Sequence, residues 1–145
     1  MDVKVRIDPA APGLLVTITA PAMTDEVRAL AARLSNRDAL LMAWDGETAV
    51  PLRGEDILRC YGEDKGVRVQ TDRGVYDLRE RLYELEGKLD RHAFVRISHS
   101  EIVNLGKVTA LDLSLTGTIR MTLAGDTVCY VSRRYVKKIK EALGL

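Results

Sequence analysis

Apolar and polar positions alternate along much of this chain. Val3, Val5 and Ile7 interleave with Lys4, Arg6 and Asp8, the period-two pattern of a half-buried strand. Pro9, Pro12 and Gly13 interrupt it, and Leu14 to Thr19 reads as a second strand. Thr24 suits a helix N-cap, with Asp25 and Glu26 in the first turn where the dipole favours acid. The helix that follows carries Val27, Leu30, Ala31 and Leu34 on one stripe. Leu40 to Trp44 predicts a third strand. Asp45-Gly46 is a turn signal, and a boundary there would set off a small βα region, 1–46, from the remainder, 47–145.

The remainder reads as mostly β. Asp56 to Tyr61 and Val67 to Thr71 are strands by composition, separated by the polar run Gly62-Glu63-Asp64-Lys65-Gly66. Asp72-Arg73-Gly74 turns the chain into Val75 to Leu78, a hairpin by its chemistry. Leu78, Leu82, Leu85 and Leu89 recur at helical spacing and predict a short amphipathic helix. Phe94 to Ile97, Lys107 to Leu113, Thr118 to Leu123 and Thr127 to Val131 complete the strands. Ser132 stands where it could cap a final helix with Tyr135, Val136, Ile139 and Leu143 inward. Short strands with regular turns favour an antiparallel sandwich or barrel over an α/β sheet.

Composition narrows this picture. The 145 residues suffice for one compact domain, or one with a small appendage. At 46% apolar and 30% charged, the chain is an ordinary globular one. The net charge of +1 hides an asymmetry: residues 91–145 hold 9 Lys and Arg against 4 Asp and Glu, while residues 1–49 hold 5 against 7. A local basic face of that kind suits nucleic acid. Cys60 and Cys129 lie far apart within apolar runs and read as small buried hydrophobes. No run approaches the roughly 18 apolar residues of a membrane span, and the N-terminus does not resemble a signal peptide. The expectation is a cytoplasmic protein.

Catalysis finds little support. His92 and His99 show no metal-ligand spacing with either cysteine, and there is no phosphate-binding loop, zinc-protease or nucleophile-elbow motif. The expectation is no enzyme, no cofactor and no small-molecule substrate. The cations are more informative. Arg133, Arg134, Lys137, Lys138 and Lys140 fall within eight residues with no intervening acid. The lysines read equally as the solvated face of an amphipathic helix or as phosphate contacts. Arg133 and Arg134 sit at a strand-to-helix junction, where a guanidinium fork can meet guanine or phosphate. Arg96-Ile97-Ser98-His99-Ser100 is a second station, although composition alone reads it first as a solvated loop. Lys65 and Arg68 make a third, weaker one, with Glu63 and Asp64 beside them.

With those residues in view, positions from about 50 to 143 resemble the LytTR family of bacterial DNA-binding domains. The likeness lies in Phe94 to Ser100 with Ile102-Val103-Asn104, then Tyr130-Val131-Ser132-Arg133-Arg134-Tyr135 and the closing helix. Glu55-Asp56-Ile57 and the passage from Val75 to Leu85 also fit. The resemblance implies an elongated, antiparallel, sandwich-like β domain with short helices, whose loops enter successive major grooves of double-stranded DNA at direct repeats. It gives His99 and Arg134 base-contacting positions, and Lys65 and Arg68 the first contact loop. Arg96, Ser98 and Ser100 would approach the backbone, and Asn104 would tie a turn. Val67 departs from the pattern, since some relatives carry a polar residue there. The 45 or so residues before the domain are too few for a receiver domain, so phosphorelay control is not expected. The resemblance leaves room for a homodimer and for a restraining membrane-protein partner. A rival reading is a protein-interaction module or regulatory adaptor whose acidic N-terminal region docks a partner.

Overall fold

The computed structural model describes residues 1–35 and 40–145. The predicted first helix forms as α1 (Asp25–Ser35), and Thr24 caps it, its Oγ1 accepting from the Val27 N–H at 3.3 Å. The two strands expected ahead of it do not form. Residues 1–24 contain no helix or strand, and Val3, Val5, Ile7, Leu14 and Leu15 are each 80–84% exposed. Their alternation has the correct period, but two strands alone are marginal in water without a third strand or a covering helix.

From residue 40 onward the chain is β-rich. The strands are β1 (Leu40–Asp45), β2 (Thr48–Arg53), β3 (Ile57–Glu63), β4 (Gly66–Thr71) and β5 (Gly74–Leu78), then helix α2 (Leu82–Lys88). They continue as β6 (Phe94–Ser98), β7 (Glu101–Asn104), β8 (Val108–Asp112), β9 (Ile119–Leu123) and β10 (Thr127–Val131), closed by α3 (Arg133–Ala142). One antiparallel sheet has the order β2-β1-β5-β4-β3-β7-β6, and a second has β10-β9-β8. Two strands escaped the sequence reading. β2 contains Pro51, which argues against a strand except at a sheet edge, and β2 is an edge. β7 has four residues and follows β6 after only His99 and Ser100.

Strands β3, β6 and β7 of the large sheet are covered on both faces, whereas β1, β2 and β5 keep exposed positions along their length. On one side, α2 sets Leu85 against Leu41, Ala43, Leu52, Ile57, Cys60, Val69, Leu78, Phe94 and Ile102. On the other, Leu58, Val95, Ile97 and Val103 meet Ile119, Met121, Leu123, Cys129 and Val131 of the small sheet and Ile139 of α3. Strands β3, β6 and β7 supply both cores. A register shift between Ile57 and Arg59 lets β3 turn Ile57 and Cys60 to one core and Leu58 to the other. Thr71 and Asn104 are buried polar residues, and the Thr71 hydroxyl donates to the Gly74 carbonyl at 3.0 Å. Asn104 is likewise satisfied: Nδ2 donates to the Ile57 carbonyl at 2.9 Å, and Oδ1 accepts from the Gly106 N–H at 2.9 Å. It ties the turn after β7 to the start of β3. Among the described residues, no helix is long and apolar enough to cross a membrane.

Candidate nucleic-acid interface

Two backbone hydrogen bonds organise the polar rim. The Gly62 N–H donates to the Ser100 carbonyl at 2.8 Å, so the end of β3 lies against the β6–β7 turn. The Ser132 N–H donates to the Ile97 carbonyl at 2.8 Å, so the entry to α3 lies against the end of β6. Each acceptor or donor in that second bond is two residues from a predicted reader, His99 or Arg134. Three segments distant in sequence therefore stand side by side: the β3–β4 tip with Lys65, the turn with His99 and Ser100, and the α3 entry with Arg133 and Arg134. Lys65, His99, Ser100, Arg133 and Arg134 are all exposed.

The β6–β7 turn is held from both arms. Ser98 pairs with Glu101 across it, and the Ser98 Oγ accepts from the Ser100 N–H at 3.2 Å. Arg96 donates to the His99 carbonyl and pairs through Nε with Glu86 of α2, leaving its side chain 15% exposed. On the other arm, Glu101 accepts from Arg59 Nη1 at 2.9 Å, while Arg59 Nε donates to Gln70 at 2.7 Å. Gln70 reaches Thr127 of the small sheet at 2.8 Å, which links the sheets beneath the rim. A reading side chain on such a turn is held in position before any ligand arrives.

The β3–β4 tip is a two-residue turn with both central residues at positive φ, Asp64 at 50° and Lys65 at 68°. That geometry matches the strand twist but favours Asn and Gly, so a lysine there carries conformational strain. Arg68 lies on β4 rather than the tip, donating to Asp77 at 3.2 Å and Glu63 at 3.4 Å. Its fork is already occupied by carboxylates. Val67 is half-buried and packs against the α2-side core.

Helix α3 buries Ile139 and half-buries Tyr135 and Val136. Arg134, Lys137 and Lys138 stand three and four residues apart, on one exposed stripe. Among the described residues these three make no ion pair with the protein. Arg133 differs: its guanidinium lies across Gly117 in the β8–β9 loop, where an added Cβ would fall 2.9 Å from Nη2. Ser132 occupies the N-cap position with extended dihedrals, yet its hydroxyl makes no capping hydrogen bond, contrary to the expectation from sequence.

Of the predicted residues, Lys65, His99, Ser100, Arg134, Lys137 and Lys138 are exposed and free of ion pairs among the described residues, whereas Arg68 and Arg96 are engaged in them. Ser98 is half-buried. Sequence reasoning missed Glu86, Glu101 and Arg59. Their contacts join residues 10 and 42 positions apart, and nothing in local spacing announces them.

Comparison with known proteins adds an independent line. A family model described as the LytTr DNA-binding domain matches residues 47–144. Proteins named as uncharacterized HTH-type transcriptional regulators in Staphylococcus aureus strains NCTC 8325 and COL are 36% identical over 132 residues. Those matches cover 90% of this chain and 89% of each relative, so they extend ahead of the family domain. A solved LytTr DNA-binding domain of a putative methyl-accepting/DNA response regulator from Bacillus cereus shares the fold, with a TM-score of 0.70 at 20% identity. That match covers 73% of this chain and 97% of that one.

Proposed function

The chain belongs to the LytTR family of DNA-binding domains, and from that premise we propose that it is a transcription regulator reading direct-repeat promoter sites through rim loops placed in successive major grooves. The observation that carries this reading is the pair of backbone bonds, Gly62 to Ser100 and Ser132 to Ile97, which brings together the loops carrying Lys65, His99 and Arg134. His99 and Arg134 act as base readers. Arg134 offers a planar fork of the kind that pairs with guanine. Lys65, Ser100, Lys137 and Lys138 contact phosphates and fix register. Arg96 works mainly by holding the His99 turn, since its fork is occupied by Glu86 and the His99 carbonyl.

The regulator name carried by the Staphylococcus aureus relatives favours the same role. Its helix-turn-helix label does not suit this architecture. α2 and α3 are separated by five strands, so readout by loops fits better than a recognition helix. The test is DNA selection from a random library with the full chain, followed by fluorescence anisotropy on the enriched site over a salt series. The expected result is an enriched repeat and an affinity falling at least tenfold over a fourfold rise in salt. An absence of enrichment, or a flat salt response, overturns the reading.

A further inference from the structure

The loop between β8 and β9 is a further segment of the polar rim, and base reading by His99 and Arg134 gives it no task. Thr118, at its end, donates through Oγ1 to the Val131 carbonyl at 2.7 Å. The end of β10 is thus bonded to the start of β9 through Val131 and to β6 through Ser132. That places the loop beside the α3 entry.

A cleft between this loop and α3 is lined by apolar Val136 and Leu145 and by the cations Arg133, Lys137 and Lys140. Leu145 reaches it because Gly144, at a φ of 71°, turns the chain back, and the Leu145 N–H donates to the Lys140 carbonyl at 2.8 Å. Glu141 also borders the cleft, so three positive side chains stand against one negative. Among the described residues, none of the three cations makes an ion pair with the protein. Residues 133, 137 and 140 are spaced by four and three, so they form one ridge of the helix. Arg134 lies about 100° round the axis from Arg133. The ridge on the cleft is therefore distinct from the side that carries Arg134 and Lys138.

Gly117 shapes one end of this ridge. Its φ is 75°, and an added Cβ would fall 2.9 Å from Nη2 and 3.0 Å from Nε of Arg133. The guanidinium rests on bare backbone, a placement that a side chain would displace. A guanidinium fork grips phosphate oxygens, and ammonium groups beside it add charge. Apolar Val136 and Leu145 between those cations suit the deoxyribose carbons between successive phosphates.

We infer that this cleft binds the sugar–phosphate backbone of DNA outside the repeat, with Gly117 as the positioning residue for Arg133. The inference rests on the DNA-reading role and extends its footprint along one flank. Chains on direct repeats point the same way, so the cleft meets outer DNA at one end of the site only.

The experiment uses the full chain and the site enriched by selection, extended at either end by about five base pairs, half a helical turn. Extension at one end is expected to tighten binding, and that gain to shrink about threefold over a fourfold rise in salt for each phosphate neutralised. Lys140→Ala and Arg133→Gln are expected to lose the gain while keeping the base preferences. Gly117→Ala is expected to lose it with no change of charge, and Glu141→Gln to enlarge it. Should Gly117→Ala fail to fold, Lys140→Ala, at an exposed helix position, carries the test. No gain at either end, or a gain that survives Lys140→Ala and Arg133→Gln, overturns the inference. Inorganic phosphate is the second arm. At constant ionic strength it is expected to leave the gain intact, and a gain abolished by phosphate but not by chloride assigns the cleft to a free phosphate instead of DNA. An enriched site without a one-sided gain sinks this inference alone, whereas no enriched site sinks the DNA-reading role.

Discussion

In the proposed reading, Arg134 and its neighbours on α3 divide between them the work of one charge. Arg134 stands at the first turn, beside the end of β6, whereas Lys137 and Lys138 lie a turn further along the same stripe. A fork at the junction can meet a base edge, while compact ammonium groups beyond it meet phosphate. Arg134→Ala is therefore expected to cost about 1–3 kcal/mol on the preferred site and to relax selectivity at one base pair. Lys137→Ala is expected to weaken all sequences alike and to reduce the salt slope by about 1. Anisotropy against a panel of single-base variants separates the two, and equal weakening by Arg134→Ala on every sequence makes it a phosphate contact. Lys65 supplies a different test, since its φ of 68° suits glycine better. Lys65→Gly is expected to stabilise the fold by roughly 1 kcal/mol in urea titration while weakening DNA binding. A variant that gains stability with no loss of affinity removes Lys65 from the interface.

Between elements, the decisive contact is from α2 to the β6–β7 turn. Glu86 holds Arg96, and Arg96 holds the carbonyl of His99. Glu86→Gln is expected to loosen the turn, lowering discrimination at the base read by His99 while leaving the salt slope unchanged. In a His99→Ala background the same change is expected to add little, because coupled residues are not additive. Additive losses show that Glu86 acts elsewhere. None of this coupling was visible in the amino-acid pattern. Apolar composition, turn chemistry and, for β9, alternation revealed β1, β3 to β6 and β8 to β10, and helical spacing revealed all three helices, because those signals are local. β2 was hidden by Pro51, which only an edge position tolerates, and β7 by the brevity of the His99-Ser100 turn. The reverse error befell residues 3–7 and 14–19, whose strand pattern is sound but lacks a neighbour within the chain. The residues proposed to read DNA were legible as types at loop positions. Their alignment was not, since it depends on Gly62 meeting Ser100 and Ile97 meeting Ser132, contacts closed only by the folded sheets.

At the scale of the whole molecule, the two cores share strands, and each contains one cysteine. Cys60 lies in the α2-side core and Cys129 in the core between the sheets. Burial pushes both thiols up to about 12, with the Glu80 carboxylate adding to the effect at Cys60 and Glu101 at Cys129. Neither is a ready nucleophile at neutral pH, which weighs against thiol chemistry. An unfolded thiol titrates near 8.5, so the unfolded state releases protons that the folded state keeps. The stability these thiols contribute is thus full below about pH 8.5 and is lost as pH rises from there towards 12. The urea midpoint is expected to fall over that range, and to fall less in a Cys60→Ala, Cys129→Ala chain. The same thiols report whether the cores are one cooperative unit. β3, β6 and β7 contribute side chains to both, so opening one face removes the floor of the other. Alkylation of Cys60 and Cys129, followed residue by residue through a urea titration at pH 8, is expected to give coincident midpoints. Two separated transitions would mean that the small sheet and α3 can leave the large sheet while it remains folded. The rim would then be a joint between independent parts, and its three loops could not hold a fixed spacing along a duplex.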